Sequence, residues 1–207
     1  MITFKQHLNE IKTSVEFDSW VESTKYVKNL TGQRVKATEI VAKKRIVGSQ
    51  PDDPDFPTIY FVVIYLTEVP SLGKDIFEIN MTVNSKQNLT TVNPGRKKTR
   101  EPMADQKTAL TIYALREKAI RKLLSEIKPN AITSMSSSDD GISRVNQKGE
   151  TETSRNKLYR RLFNRIARDF NYKVREDKEG YYLHITLYKD SDKVEWSQLT
   201  KGNNSFY

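Results

Sequence analysis

The sequence predicts a single mixed α/β domain. Three observations carry this expectation: a β-branched and aromatic run at 59–66, strict alternation at 77–83, and helical periodicity over 105–127 and 154–170. The run from Ile59 to Leu66 contains Tyr60, Phe61, Val62, Val63, Ile64 and Tyr65 with no charged residue, which is the composition of a central strand buried on both faces. In the second stretch Phe77, Ile79, Met81 and Val83 alternate with Glu78, Asn80 and Thr82, so that strand buries one face. Residues 70–74 are too few for a crossover, and the two strands form an antiparallel pair.

The remaining elements follow in chain order. Thr3 and Gln6 have capping-box spacing and Phe4, Leu8 and Ile11 repeat at helical intervals, giving a short first helix. A second helix is expected over 17–30, where Phe17, Trp20, Val21, Val27 and Leu30 lead to Gly32. These two form an N-terminal helical segment at 1–32, a docking or targeting arm, ahead of an α/β domain at 33–207. The pattern over 35–47 is β, and Pro51, Pro54 and Pro57 make 48–57 a loop whose acids belong to a solvated turn. A polar, basic segment at 84–102 precedes the helix at 105–127, which carries Leu110, Tyr113, Leu123, Leu124 and Ile127 and is stopped by Pro129. A short strand at 131–135 and a Ser/Asp/Gly-rich loop at 136–153 lead to the helix at 154–170. Strands at 173–176 and 181–188 close a hairpin around 177–180, and Trp196 anchors a final turn. The expected sheet is mixed, mostly antiparallel and covered by helices.

Composition narrows the function. Lys and Arg number 35 against 26 Asp and Glu, and the net charge of +9 favours an anionic partner. With no cysteine there is no disulfide, thiolate nucleophile or Cys-based zinc site, and His7 and His184 alone make no multi-His centre, so no metal is expected. No apolar run approaches the roughly 18 residues of a membrane span, and residues 1–10 lack a signal peptide's apolar core. No membrane partner is expected. His184-Ile185-Thr186 supplies half of a two-histidine phosphoesterase motif, but His7 is followed by Leu8-Asn9, and no Gly-x-Ser-x-Gly elbow marks a serine hydrolase. His184 shares a strand face with Tyr182, Thr186 and Tyr188 and is expected to cover a half-exposed sheet surface.

The strongest functional pattern is cationic. In the helix capped by Ser154, Leu158, Tyr159, Leu162, Ile166 and Phe170 form an apolar stripe, while Arg155, Lys157, Arg160, Arg161, Arg165 and Arg168 face a single acid, Asp169. A second basic group, Arg96, Lys97, Lys98 and Arg100, lies in the loop before the preceding helix. Such groups suit phosphates, each neutralised phosphate releasing a counterion, and guanidinium forks equally suit the carboxylates of an acidic protein. There is no helix-turn-helix, zinc-finger or ribonucleoprotein motif, so any DNA binding is expected to lack sequence specificity.

The order strand, strand, basic loop, long helix, short strand, loop, helix with Leu158-Tyr159, then Asn171-Tyr172 and closing strands resembles the core of the GNAT acetyltransferase fold. Ser154-Arg155 and Lys157-Leu158-Tyr159 with Asn171-Tyr172 look more particularly like GNAT-like proteins of large tailed bacteriophages, over roughly 59–187. That resemblance implies acetyl-CoA as cofactor and Tyr159 as general acid to the leaving thiolate, with Glu78 or Asp105 as base. The corresponding cofactor loop, however, has one glycine, Gly95, with Pro94 and Pro102 and no Gly-x-Gly pair, so backbone amides lack the close approach a pyrophosphate needs. No cofactor is therefore expected, with acetyl-CoA as the alternative. Met1-Ile2-Thr3-Phe4-Lys5-Gln6-His7-Leu8-Asn9-Glu10 is similar to the sequences that direct internal proteins of such phages into the prohead, and Leu8-Asn9-Glu10 fits the Leu-x-Glu cleavage motif. Together these imply a virion-associated structural or internal head protein on a non-catalytic scaffold. Its basic surface would contact DNA or other virion proteins, in the virion or the host bacterial cytoplasm. The alternatives are a phage N-acetyltransferase and a non-specific nucleic-acid-binding host-takeover protein.

Overall fold

The computed structural model describes residues 16–29, 31–50, 53–87, 106–137, 154–179 and 182–199. The strands are β1 (Ser19–Lys28), β2 (Arg34–Gln50), β3 (Asp53–Glu68), β4 (Ile76–Gln87), β5 (Ala131–Ser137), β6 (Lys173–Glu179) and β7 (Tyr182–Tyr188). The helices are α1 (Gln106–Glu126), α2 (Ser154–Phe170) and the short α3 (Trp196–Leu199). The protein is α/β, with one mixed sheet in the order β1-β2-β3-β4-β5-β7-β6. β4 and β5 run parallel, registered Ile76 to Ala131, Phe77 to Ile132 and Glu78 to Thr133, with α1 as the crossover a parallel pair requires. β7 is antiparallel to both β5 and β6.

Contacts divide the chain into two compact units. The first comprises Met1–Val21, Val41–Ile64 and Met81–Ile120. Its core includes Ala42, Tyr60, Val62, Ile64, Leu115 and Ile120. Asp18 ties the start of β1 to β2: its carboxylate accepts from Lys44 Nζ and the Arg45 amide, both at 2.7 Å, and lies below the usual carboxylate range chiefly because of the Lys44 bond. Gly48 permits a close approach of β2 to α1, since a Cβ there would overlap the buried Thr108 side chain, with Cγ2 at 2.9 Å.

The second unit comprises Glu22–Ile40, Tyr65–Asn80 and Arg121–Tyr207. Strand periodicity sends Ile132, Leu183, Ile185 and Leu187 to one sheet face, where α2 packs on β6 and β7 with Tyr159, Leu162, Phe163, Ile166 and Ala167 buried. Both long helices end on a left-handed residue, Lys128 (φ 53°) before Pro129 and Asn171 (φ 57°) before Tyr172. The Tyr172 hydroxyl donates to the Pro129 carbonyl at 2.5 Å, which joins the two helix ends, and burial pushes this phenol up to about 12. A smaller core of Val69, Leu72, Ile76, Ala131, Val194 and Leu199 seats the C-terminal turn, with Tyr188 and Trp196 against it. Trp196 donates to the Ser191 carbonyl at 3.0 Å and meets the Tyr188 ring edge-on, as its expected anchoring role requires.

The structure corrects several expectations. The helix expected over 17–30 is strand β1. Trp20, Val21, Thr24, Tyr26 and Val27 favour a pleated surface, and β2 provides the partner that helical spacing cannot reveal. The Asn29 side chain shapes the turn to β2 by accepting from the Thr31 and Gln33 amides, with Gly32 at φ 79°. The earlier helix expected at 3–11 lies outside the described residues. The loop expected over 48–57 is largely strand, since β2 reaches Gln50 and β3 starts at Asp53, so Pro54 and Pro57 occupy the beginning of a strand. The strand at 59–66 lies between β2 and β4 as expected for a central strand, but it buries one face only. Tyr60, Val62, Ile64 and Leu66 are buried, whereas Phe61 on the other side is 41% exposed.

Candidate functional site

The basic helix forms at the expected bounds, and its burial sorts the cations into distinct classes. Lys157, Arg161, Asn164 and Arg168 are exposed and recur at helical spacing along one outward stripe. Arg160 is turned to the sheet, where its Nε donates to Glu176 on β6 at 2.6 Å, and Arg165 is half-buried. Asp169 accepts from Arg121 of α1 at 2.5 Å, and that bond holds its carboxyl below the usual range. The acid that the sequence set against the basic helix is thus engaged by α1. The side chain of Arg155 and the loop residues Arg96, Lys97, Lys98 and Arg100 lie outside the described residues, as does Asp105.

The apolar stripe is also redistributed. Leu158 is 37% exposed, and Phe163, which the sequence reading omitted, is fully buried in its place. The buried arc therefore includes Asn156, Tyr159, Phe163 and Ala167 beside Leu162 and Ile166, wider than a single row of apolar residues. Tyr159, the candidate general acid, is 7% exposed. Phe170 is half-buried beneath the Arg121 guanidinium, 5.8 Å from its ring centre.

A second constellation arises on the sheet face away from α2. The register sets Glu78 beside Thr133, Thr133 beside Thr186 and Thr186 beside Arg175. The Thr186 hydroxyl donates to the Thr133 hydroxyl at 3.1 Å, both groups being buried. The Val69 amide bonds to the Ile76 carbonyl, which carries the hairpin register to Thr67 beside Glu78. Thr67 in turn donates to Glu39 at 3.3 Å, and Lys25 pairs with Glu39 at 2.6 Å. One polar residue from every strand thus lies in a row across the sheet: Lys25, Glu39, Thr67, Glu78, Thr133, Thr186 and Arg175. One step along, Met135, His184 and Asp177 form the adjoining row, where Asp177 accepts from Arg175 Nε at 2.9 Å. His184 is buried, which corrects the half-exposed position expected for it, because β7 is flanked by β5 and β6.

Burial raises the Glu78 carboxyl above its ordinary value, while a hydrogen bond from Asn80 and the charge of Lys25 oppose that shift. The folded state therefore favours the protonated acid and is penalised once Glu78 ionises. Glu78→Gln should raise the melting temperature at neutral pH. The gain should shrink as pH falls through the folded pKa and vanish below the unfolded value near 4.5, where both states carry the proton. Melting curves of the two proteins across this range test the sign; a loss of stability on substitution at neutral pH contradicts it.

Among the described residues no group of three His, Asp or Glu side chains is arranged to hold a metal ion, and no helix is long and apolar enough to cross a membrane. No protein family, no curated protein and no solved structure matches this chain.

Proposed function

We propose that this chain is a virion-associated protein of a tailed phage, built on a non-catalytic GNAT-like scaffold, that binds duplex DNA without sequence preference through the outward stripe of α2. The observation that carries the binding role is the exposure of Lys157, Arg161 and Arg168 on one helical stripe, with Asp169 engaged by Arg121. The parallel β4/β5 pair bridged by α1, followed by α2 and the antiparallel β6/β7 hairpin, supports the scaffold. The single glycine in residues 92–102 supports a non-catalytic role, because close backbone approach to a pyrophosphate is restricted there.

Three phosphate contacts give an expected slope of log affinity against log salt of about −2.7 on duplex DNA. Replacing Arg161 and Arg168 with Gln should flatten the slope by about 1.8 and weaken binding equally on unrelated sequences. Fluorescence anisotropy against two duplexes of different sequence makes the measurement. No duplex binding at low salt, with retention of an acidic virion protein instead, assigns the stripe to protein docking. One second reading is an N-acetyltransferase with Tyr159 as acid, and it needs a base other than Glu78, which lies on the sheet face away from α2. Micromolar acetyl-CoA binding in a calorimetric titration of the same protein would favour that reading.

A further inference from the structure

The hairpin formed by β1 and β2 carries a patch that the α2 stripe does not explain. The Asn29 amide bonds to the Gln33 carbonyl at 2.9 Å, and the Ser23 hydroxyl reaches the Glu39 carbonyl at 3.3 Å. Both contacts fit one unbroken antiparallel register, in which Lys28 faces Arg34 and Tyr26 faces Lys36 across the strands. These four side chains share a face. Arg34, Lys28 and Lys36 are all exposed there, Tyr26 is 58% exposed, and the Arg34 guanidinium lies 5.8 Å from the Tyr26 ring centre. The neighbouring acid Glu39 belongs to the opposite face, where it pairs with Lys25.

Two features of this patch work against a stable isolated hairpin. Like charges placed directly opposite one another repel, and a large aromatic ring contributes little burial when it stands in water. An anionic ligand offering flat rings resolves both, since phosphates offset the repulsion and a base covers the phenol. Duplex DNA presents phosphates but keeps its base faces stacked within the helix, and an acidic peptide offers charge without a stacking partner. Single strands present phosphate and exposed base together.

We propose that the Tyr26, Lys28, Arg34 and Lys36 face of the β1–β2 hairpin binds single-stranded nucleic acid, with a base stacked on Tyr26 and neighbouring phosphates on the three cations. The site is separate from the α2 stripe, whose residues Lys157, Arg161, Asn164 and Arg168 include no aromatic ring. Sequence preference is weak at such a site, because every base has a face that can stack.

The test is anisotropy of a short fluorescein-labelled oligothymidylate with the full chain at low salt. Tyr26→Ala should weaken binding about tenfold, as expected for the loss of one stacked base, whereas Tyr26→Phe should retain it. Arg34→Gln and Lys36→Gln should each flatten the salt dependence by about 0.7 and leave the melting temperature unchanged or raised, since each relieves like-charge repulsion. Should Tyr26→Ala melt early, Tyr26→Trp takes its place and should tighten binding through its larger ring. Unchanged oligothymidylate affinity in both Tyr26→Ala and Tyr26→Trp overturns the proposal. An equal loss of duplex affinity in Tyr26→Ala, or displacement of the oligonucleotide by polyglutamate of matched charge, also overturns it and assigns the patch to duplex or to an acidic protein.

Discussion

Phe163→Ala should lower folding stability by about 3 to 5 kcal/mol, the range for removing a fully buried aromatic side chain and leaving a cavity. Phe163 has no exposed surface and lies on the buried arc of α2 with Tyr159, Ile166 and Ala167, so its loss cannot be answered by solvent. A domain of this kind is stable by only about 5 to 15 kcal/mol, and the variant should therefore unfold at much lower urea. Leu158→Ala is the matched control. Its side chain is 37% exposed, and the change should cost no more than about 0.5 kcal/mol. Urea titrations of both variants test the assignment of the helix face. Equal losses, or a larger loss at Leu158, contradict the orientation of α2 on which the outward stripe depends.

Local signals made part of this molecule legible. The bounds of α2 follow from Ser154, the apolar spacing and Asn171, which takes the left-handed conformation at the helix end as short polar side chains do. The alternation in β4 and the closing hairpin were likewise readable, because one strand face meets the core. Phe17, Trp20, Val21, Val27 and Leu30 satisfy helical spacing over 17–30, whereas β1 takes its form from β2, a partner strand further along the chain that such spacing does not reveal. For the candidate sites, the sequence shows charge but not pairing. Arg160 meets Glu176, 16 residues away, and Asp169 meets Arg121, 48 residues away, and these bonds decide which cations face outward. The polar row was less legible still, because its seven members come from seven strands and align only through register. Glu78 was visible as a polar residue in an alternating strand, but its burial comes from the assembled sheet. The hairpin patch is hidden by helical spacing over 17–30, since only strand periodicity puts Tyr26, Lys28, Arg34 and Lys36, which flank Gly32, on one face.

Gly73→Ala should cost at least about 2 kcal/mol, since backbone strain and overpacking each contribute about 1 to 3 kcal/mol at such a site. Gly73 has φ 130°, a conformation that residues with a Cβ rarely adopt, and it lies in the turn between β3 and β4. An added Cβ would overlap the Lys193 carbonyl and stand 2.9 Å from Ile76 Cδ1. Neither neighbour yields easily. The Lys193 oxygen is backbone, flanked by the bonds from the Val194 amide to Ser191 and from the Glu195 amide to Leu72, and Ile76 is fully buried. Relief must therefore come from lifting the C-terminal turn off the core that Val194 and Leu199 share with Leu72 and Ile76. That movement would also disturb Trp196, which donates to Ser191 and has the Arg175 guanidinium 4.3 Å from its ring centre. Tryptophan emission should shift to the red at urea concentrations where the far-ultraviolet signal of the sheet persists, and Trp196→Phe should abolish the early shift. If both signals move together at the wild-type midpoint, the turn tolerates a Cβ and the close approach at Gly73 does not fix the C-terminal segment.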